Sequence, residues 1–190
     1  MALQDQLASR VLKLPGAVRP FAVDRGLRIP MRDGVTLAAD HYVPAGKPAG
    51  TLLVRGPYGR RFPFNLLYAR PYAARGYHVL FVSSRGTAAS DGDFDPMRTE
   101  RADGRDVVAW LVAQPWFTGT FATAGGSYLG FTQWAVLADS PPELTTAVVT
   151  MGPHDFSIGG WGTGSLPTAV HAWRAPGGLR RTSKRTSRRL

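Results

Sequence analysis

One stretch constrains the fold more than any other: Phe121 to Leu137, with the sequence FATAGGSYLGFTQWAVL. Its pattern predicts a short buried strand (Phe121 to Ala124), a tight turn with Ser127 at the tip, and a helix through to Ala138. Such a turn tolerates only small neighbours, and this stretch has three glycines at Gly125, Gly126 and Gly130. The turn would expose the serine hydroxyl and aim the first helical N–H groups at a bound ligand, as acyl transfer requires.

The glycine spacing leaves a second interpretation open. Glycine lies two residues before Ser127 but three residues after it, whereas the usual nucleophile elbow has glycine two residues away on both sides. A serine that only caps a helix after a glycine turn would give a similar pattern. Evidence from the rest of the sequence is therefore needed to distinguish a nucleophile from a helix cap at Ser127.

Strands and helices alternate along most of the chain. An Asp33-Gly34 turn between two alternating runs predicts a leading hairpin. The further strands are predicted at 51–54, 77–82, 121–124 and 144–150, and the helices at 65–74 (interrupted or restarted at Pro71) and 98–114. This order predicts an α/β fold with a mostly parallel sheet, in which Ser127 follows the fifth strand.

Composition excludes several classes of protein. The chain has no cysteine, which excludes disulfides and thiolate metal sites. No run of about 18 apolar residues is present, so we expect no membrane span. The first residues lack the pattern of a secretory signal and place Leu3, Leu7, Val11 and Leu14 at helical spacing instead. We therefore predict a cytoplasmic protein.

The net charge of +10 is concentrated at one end of the chain. Seven of the 23 lysines and arginines follow Ala172, and without them 16 basic residues face 13 acidic ones. A basic tail can bind polyanions without specificity. We predict no specific nucleic-acid partner for the folded part.

Five segments, taken together and in order, resemble the cocaine-esterase and X-Pro dipeptidyl-peptidase family of α/β-hydrolases. They are IPMRDGVTLAADHYVP (29–44), RGPYGR (55–60), YAARGYHVLFVSSRG (72–86), DGRDVVAWLVAQPW (103–116) and GGSYLGFTQW (125–134). The Ser-Tyr-x-Gly elbow is typical of that family and accounts for the late glycine. The resemblance implies a serine hydrolase of acyl ester or X-Pro-type peptide bonds that works through an acyl-enzyme.

The resemblance also implies the roles of three residues. Ser127 would be the nucleophile, and the backbone N–H of Tyr128 and the phenol of Tyr58 would form the oxyanion hole. The expected substrate is a small ester or peptide, and no cofactor or metal is expected. A half-buried loop tyrosine without a catalytic role is the alternative for Tyr58.

The chain departs from the family after the sixth strand. The family places its triad acid and histidine beyond a helical cap, but here the predicted strand ends near Thr150 and the chain ends at Leu190. We therefore predict a fold truncated after the sixth strand, with little turnover by this polypeptide alone and an exposed apolar edge that favours aggregation. An inactive remnant of the fold and polyanion binding through the tail remain alternatives.

Three segments follow from this interpretation: an N-terminal helical segment (1–20), a partial catalytic domain (21–155), and the start of a cap followed by a basic, disordered tail (156–190). His154-Asp155 and His171 are not favoured as substitutes for the base, because the family's base lies elsewhere.

Three other sets of residues are interpreted without a catalytic role. His41 and His78 lie within strands and are expected to pack there. Pro96 stands where a calcium loop needs glycine, so Asp91, Asp93 and Asp95 are interpreted as loop carboxylates without a metal. Ser83 replaces an aspartate usual in the family, which puts the hydrogen bonding of Arg85 in doubt.

Overall fold

The computed structural model describes residues 3–11, 13–16 and 18–154, which form a sheet flanked by helices. The strands are β1 (Phe21–Pro30), β2 (Thr36–Pro44), β3 (Gly50–Gly56), β4 (Tyr77–Ser83), β5 (Phe121–Gly126) and β6 (Leu144–Thr150). The helices are α1 (Leu3–Val11), α2 (Phe64–Tyr68), α3 (Arg70–Ala73), α4 (Glu100–Val112) and α5 (Tyr128–Leu137).

The six strands form one sheet in the order β1-β2-β4-β3-β5-β6. β1 pairs antiparallel with β2, and β2 pairs antiparallel with β4, whereas the β4–β3, β3–β5 and β5–β6 pairs are parallel. The predicted α/β architecture with a leading hairpin is therefore confirmed. Because β3 and β5 are parallel neighbours, the loops that follow them leave the sheet at the same edge.

Two apolar clusters cover the two faces of the sheet. On one face, Val107 and Leu111 of α4 pack with strand residues that include Leu53 and Leu80. On the other face, Ala69 and Ala73 pack with Leu52, Val79 and Phe81. β3 and β4 are therefore buried on both faces, which is why they appear in the sequence as continuous apolar runs.

α1 forms where helical spacing predicts it, but two of its apolar residues are exposed. Leu7 and Val11 are 60% and 71% exposed. The helix is held instead by Asp5, whose carboxylate accepts hydrogen bonds of 2.6 and 2.8 Å from the guanidinium of Arg70. The apolar spacing therefore predicted the helix correctly without revealing how it is attached.

The predicted helix 65–74 is divided into α2 and α3 at Ala69. Ala69 has φ −126°, outside the helical region, and Pro71 lies in the first turn of α3. A proline has no N–H to donate to the preceding turn, so it is best accommodated where a helix begins. Pro71 thus opens a second helix, as the sequence suggested.

Some of the sequence predictions fall outside the described residues. The domain boundary at 155 and the cap and tail assigned to 156–190 lie there, together with His171. Within the described part, no helix is both long enough and apolar enough to cross a membrane.

The two strand histidines form a buried pair at the end of the sheet opposite Ser127. Nε2 of His41 lies 3.0 Å from Nδ1 of His78, and the ring of Trp116 stacks on His41 with 3.8 Å between ring centroids. Burial lowers the pKa of His41 to about 4, with a smaller contribution from His78, and burial also lowers the pKa of His78. Both residues therefore pack in the core as predicted.

Acidification is expected to destabilise the fold between pH 6.5 and pH 4. Over this range His41 becomes protonated in the unfolded chain, where its pKa is 6.5, but stays mostly neutral in the folded chain. The loss in the free energy of unfolding should reach about 2 kcal/mol, measured by urea denaturation at each pH. His41→Phe should reduce this pH dependence. His154→Gln, at an exposed histidine, should leave it unchanged. If the free energy of unfolding depends equally on pH in all three proteins, His41 is not the cause.

β6 is an edge strand in the described part of the chain, where its outer side pairs with no other strand. Its sequence, LTTAVVT, has no charge and no proline, and Val148 is 53% exposed. Exposed edges of this composition are templates for pairing between molecules.

A lysine on this edge should reduce self-association. We expect Val148→Lys to raise the monomeric fraction in size-exclusion chromatography with light scattering, because a charge on an edge strand disfavours strand addition. Leu67→Lys is the matched control, since Leu67 is an apolar residue on α2 with 47% exposure. If both variants raise the monomeric fraction equally, the added net charge is the cause and the edge strand is not.

Candidate active site

Ser127 lies at a strained turn between β5 and α5. Its φ of 57° and ψ of −124° are unusual for a residue with a side chain. Its N–H donates to the carbonyl of Thr150 at 3.0 Å, and its carbonyl accepts from the N–H groups of Gly130 and Phe131. The side chain makes no capping hydrogen bond to the helix and is exposed, so the interpretation as a simple helix cap is wrong.

The glycines around Ser127 are required by close packing. A Cβ on Gly125 would overlap Cβ of Leu129, and a Cβ on Gly130 would lie 2.6 Å from Cα of Gly152. The second contact gives the physical reason for the late glycine, because the chain leaving β6 passes directly against the first turn of α5. A side chain at either position would push the helix away from the sheet.

Tyr58 lies at the hydroxyl of Ser127. Its phenolic oxygen is 3.2 Å from Oγ of Ser127, and it also accepts a hydrogen bond of 3.4 Å from the N–H of Tyr128. The ring of Tyr58 stacks on Phe64 with 4.9 Å between centroids and an interplanar angle of 16°. The structure thus brings together the three groups that the sequence analysis selected: one exposed hydroxyl, one phenol and one backbone amide at a helix N-terminus.

No histidine in the described part of the chain contacts Ser127. His41 and His78 lie at the opposite end of the sheet, and the ring of His154 lies 5.7 Å from that of Trp134, two turns along α5. Tyr58 is the one hydrogen-bond partner of the Ser127 hydroxyl among the described residues. Asp155 and His171 lie outside them.

The arginine whose hydrogen bonding was in doubt has two acidic partners. Arg85 donates to Asp103 at 3.1 Å and to Asp33 at 2.7 Å. The hydroxyl of Ser83 accepts instead from Arg60, whose Nε lies 3.2 Å from the carboxylate of Asp40. With serine at position 83, Arg85 is therefore still paired, and Asp40 supplies a negative charge close to Arg60.

Sequence reasoning missed the buried polar groups behind the elbow. Glu100 and Asp103 lie in the first turn of α4, where acidic residues are common, yet both are buried and each pairs with an arginine. Arg55 is only 4% exposed at the end of a strand that is otherwise apolar. An arginine inside an apolar strand could have indicated a buried partner.

Comparisons with known proteins identify the family of this chain. The family model for X-Pro dipeptidyl-peptidase (S15 family) matches residues 33–189. This chain belongs to that family. It is 35% identical over 149 residues to cocaine esterase of Rhodococcus sp. (strain MB1 Bresler), a match that covers 74% of this chain and 25% of the esterase.

Solved structures support the same fold. An alpha-amino acid ester hydrolase has a TM-score of 0.64 and 28% identity, with 78% of this chain and 29% of that chain covered. A CocE/NonD family hydrolase from Staphylococcus aureus also has a TM-score of 0.64, at 24% identity, with 73% and 29% covered. The fold is that of the α/β-hydrolases. The chain spans about a quarter of the length of the curated relatives that it matches.

Adding a methyl group at the late glycine should destabilise the fold. We expect Gly130→Ala to lower the free energy of unfolding by about 2 kcal/mol, despite the better helix propensity of alanine, because the methyl group meets the backbone of Gly152. Gly50→Ala is the control, since its methyl group would meet only the ring edge of Tyr77, at 3.2 Å. Urea denaturation measures the free energy of unfolding of both variants. If the two variants are equally stable, the close contact between Gly130 and Gly152 is not required.

Proposed function

We propose that this chain carries the nucleophile and oxyanion hole of a serine hydrolase that cleaves acyl ester or X-Pro-type peptide bonds. One observation carries the proposal: the phenol of Tyr58 and the amide of Tyr128 converge at the exposed hydroxyl of Ser127. The names of the relatives, an esterase, an ester hydrolase and a peptidase family, suggest the acyl class of substrate.

In the proposed reaction, Oγ of Ser127 attacks the carbonyl carbon of the substrate while a general base takes its proton. The carbonyl oxygen becomes an oxyanion between the hydroxyl of Tyr58 and the N–H of Tyr128. Collapse of this intermediate expels the alcohol or amine and leaves an acyl-enzyme, which water releases. The base and the acid that orients it would lie outside the described residues.

The resting geometry is compatible with this step. Without substrate, the Tyr128 N–H donates to the oxygen of Tyr58, at the long distance of 3.4 Å. An oxyanion is a stronger acceptor than a phenol, so it would draw both donors to itself. The positive end of α5 adds to this stabilisation because the helix begins at Tyr128.

A fluorophosphonate probe tests the proposal, because it phosphonylates serines that are activated for nucleophilic attack. We expect labelling of Ser127, slow when no base is in reach, since an oxyanion hole alone retains part of the rate enhancement. Ser127→Ala should abolish labelling, and Ser140→Ala, beyond the far end of α5, should not. Tyr58→Phe should slow labelling by about 10²- to 10³-fold, with Tyr77→Phe as its control.

The outcomes separate this proposal from its alternative. Absence of labelling in the folded wild-type chain would favour a non-catalytic protein with the same fold. If Ser127→Ala is labelled as much as the wild type, a residue other than Ser127 reacts with the probe. Nothing in the described residues favours the polyanion-binding function.

A further inference from the structure

A buried ion pair lies behind the elbow. Nη2 of Arg55, at the end of β3, is 2.8 Å from Oε2 of Glu100, the first residue of α4, and both side chains are 3% exposed. Two guanidinium nitrogens of Arg55 also donate to the carbonyl of Glu100, each at 3.2 Å. A Cβ on Gly104 would lie 2.8 Å from this guanidinium, so the glycine leaves room for it.

This ion pair is joined to both segments that supply the oxyanion donors. The carbonyl of Arg55 accepts a hydrogen bond of 2.9 Å from the hydroxyl of Thr132 in α5. Three residues after Arg55, the same chain segment carries Tyr58. The end of β3, the start of α4 and the first turns of α5 are therefore connected by directional polar contacts.

The phenol of Tyr128 makes a polar contact with the turn that precedes α4. Its side chain is buried, and its oxygen accepts a hydrogen bond of 2.9 Å from the N–H of Met97. Burial is the main cause that raises the pKa of Tyr128, and the negative charge of Glu100 raises it further. The phenol thus stays protonated and holds Met97, whose φ of 73° is unusual for a residue with a side chain.

We propose that the phenol of Tyr128 is a positioning group for the oxyanion hole. The amide that donates to Tyr58 and the phenol that accepts from Met97 belong to the same residue, so fixing the side chain fixes the direction of the amide. Met97 lies just before α4, whose first residue, Glu100, is paired with Arg55 in the segment that carries Tyr58. The inference rests on the proposed function, in which these two groups are the donors.

The phenol acts through the backbone and does not touch the substrate. Its hydroxyl accepts from the N–H of Met97, and its ring packs against Phe94 and Phe131 with centroid distances of 5.8 Å each. The hydroxyl of Tyr58, in contrast, lies directly at Ser127. The two tyrosines therefore have different roles, and their loss should have different signatures.

Tyr128→Phe tests the inference, because it keeps the ring and removes only the hydroxyl. We expect the maximal phosphonylation rate of Ser127 to fall about tenfold, as loss of one hydrogen bond allows, at a temperature where the variant is fully folded. The concentration of probe that gives half the maximal rate should stay unchanged. Tyr42→Phe is the matched control, since Tyr42 is also fully buried and its hydroxyl has no hydrogen-bond partner in the described part of the chain.

A second measurement does not depend on reactivity. Amide hydrogen exchange at Met97 and Tyr128 should be faster in Tyr128→Phe than in the wild type, and unchanged in Tyr42→Phe. If wild type and Tyr128→Phe are labelled at the same rate, the inference fails and the proposed function stands. If the wild type is not labelled, the proposed function fails for this chain. In that case, unchanged exchange at Tyr128 overturns the inference, and faster exchange there supports it.

Discussion

The close approach between the first turn of α5 and the end of β6 determines the geometry of the site. Gly130 and Gly152 meet backbone to backbone, and Gly125 faces Leu129 with no room for a side chain. This packing holds Ser127 at a positive φ, which costs about 1–3 kcal/mol for such a residue. The surrounding contacts maintain that strain, and its consequence is a hydroxyl directed away from the sheet.

The order of strands in the sheet then determines which side chain lies beside the hydroxyl of Ser127. Tyr58 and Ser127 are far apart in the chain, yet β3 and β5 are adjacent and parallel. Their following loops therefore emerge side by side at the carboxyl edge, where ligand groups converge in α/β sheets. Stacking on Phe64 further limits the positions open to the ring of Tyr58. A donor pair contributed by two loops is thus a direct result of strand order.

The features that the sequence predicted well are those coded by local patterns. The hairpin at Asp33-Gly34, the alternation of strands and helices, and the serine turn all depend on neighbouring residues. The exposed face of α1 was not foreseen, because helical spacing cannot show whether a partner surface exists. The His41–His78 contact was also missed, since it joins strands that are distant in the sequence. The local sequence around Glu100 could not reveal its ion pair, because its partner Arg55 lies in another element.

The polar network behind the elbow supplies a directional constraint that apolar packing lacks. Burying an ion pair yields little net stability, since the loss of hydration offsets most of the attraction between the charges. Hydrogen bonds, however, constrain angles, whereas apolar contacts allow side chains and helices to slide and repack. Arg55 contacts α4 through Glu100, and its carbonyl contacts α5 through Thr132, so one residue fixes both helices relative to β3. A site that needs two donors within tenths of an ångström of an oxyanion gains from that constraint even where the fold gains little stability.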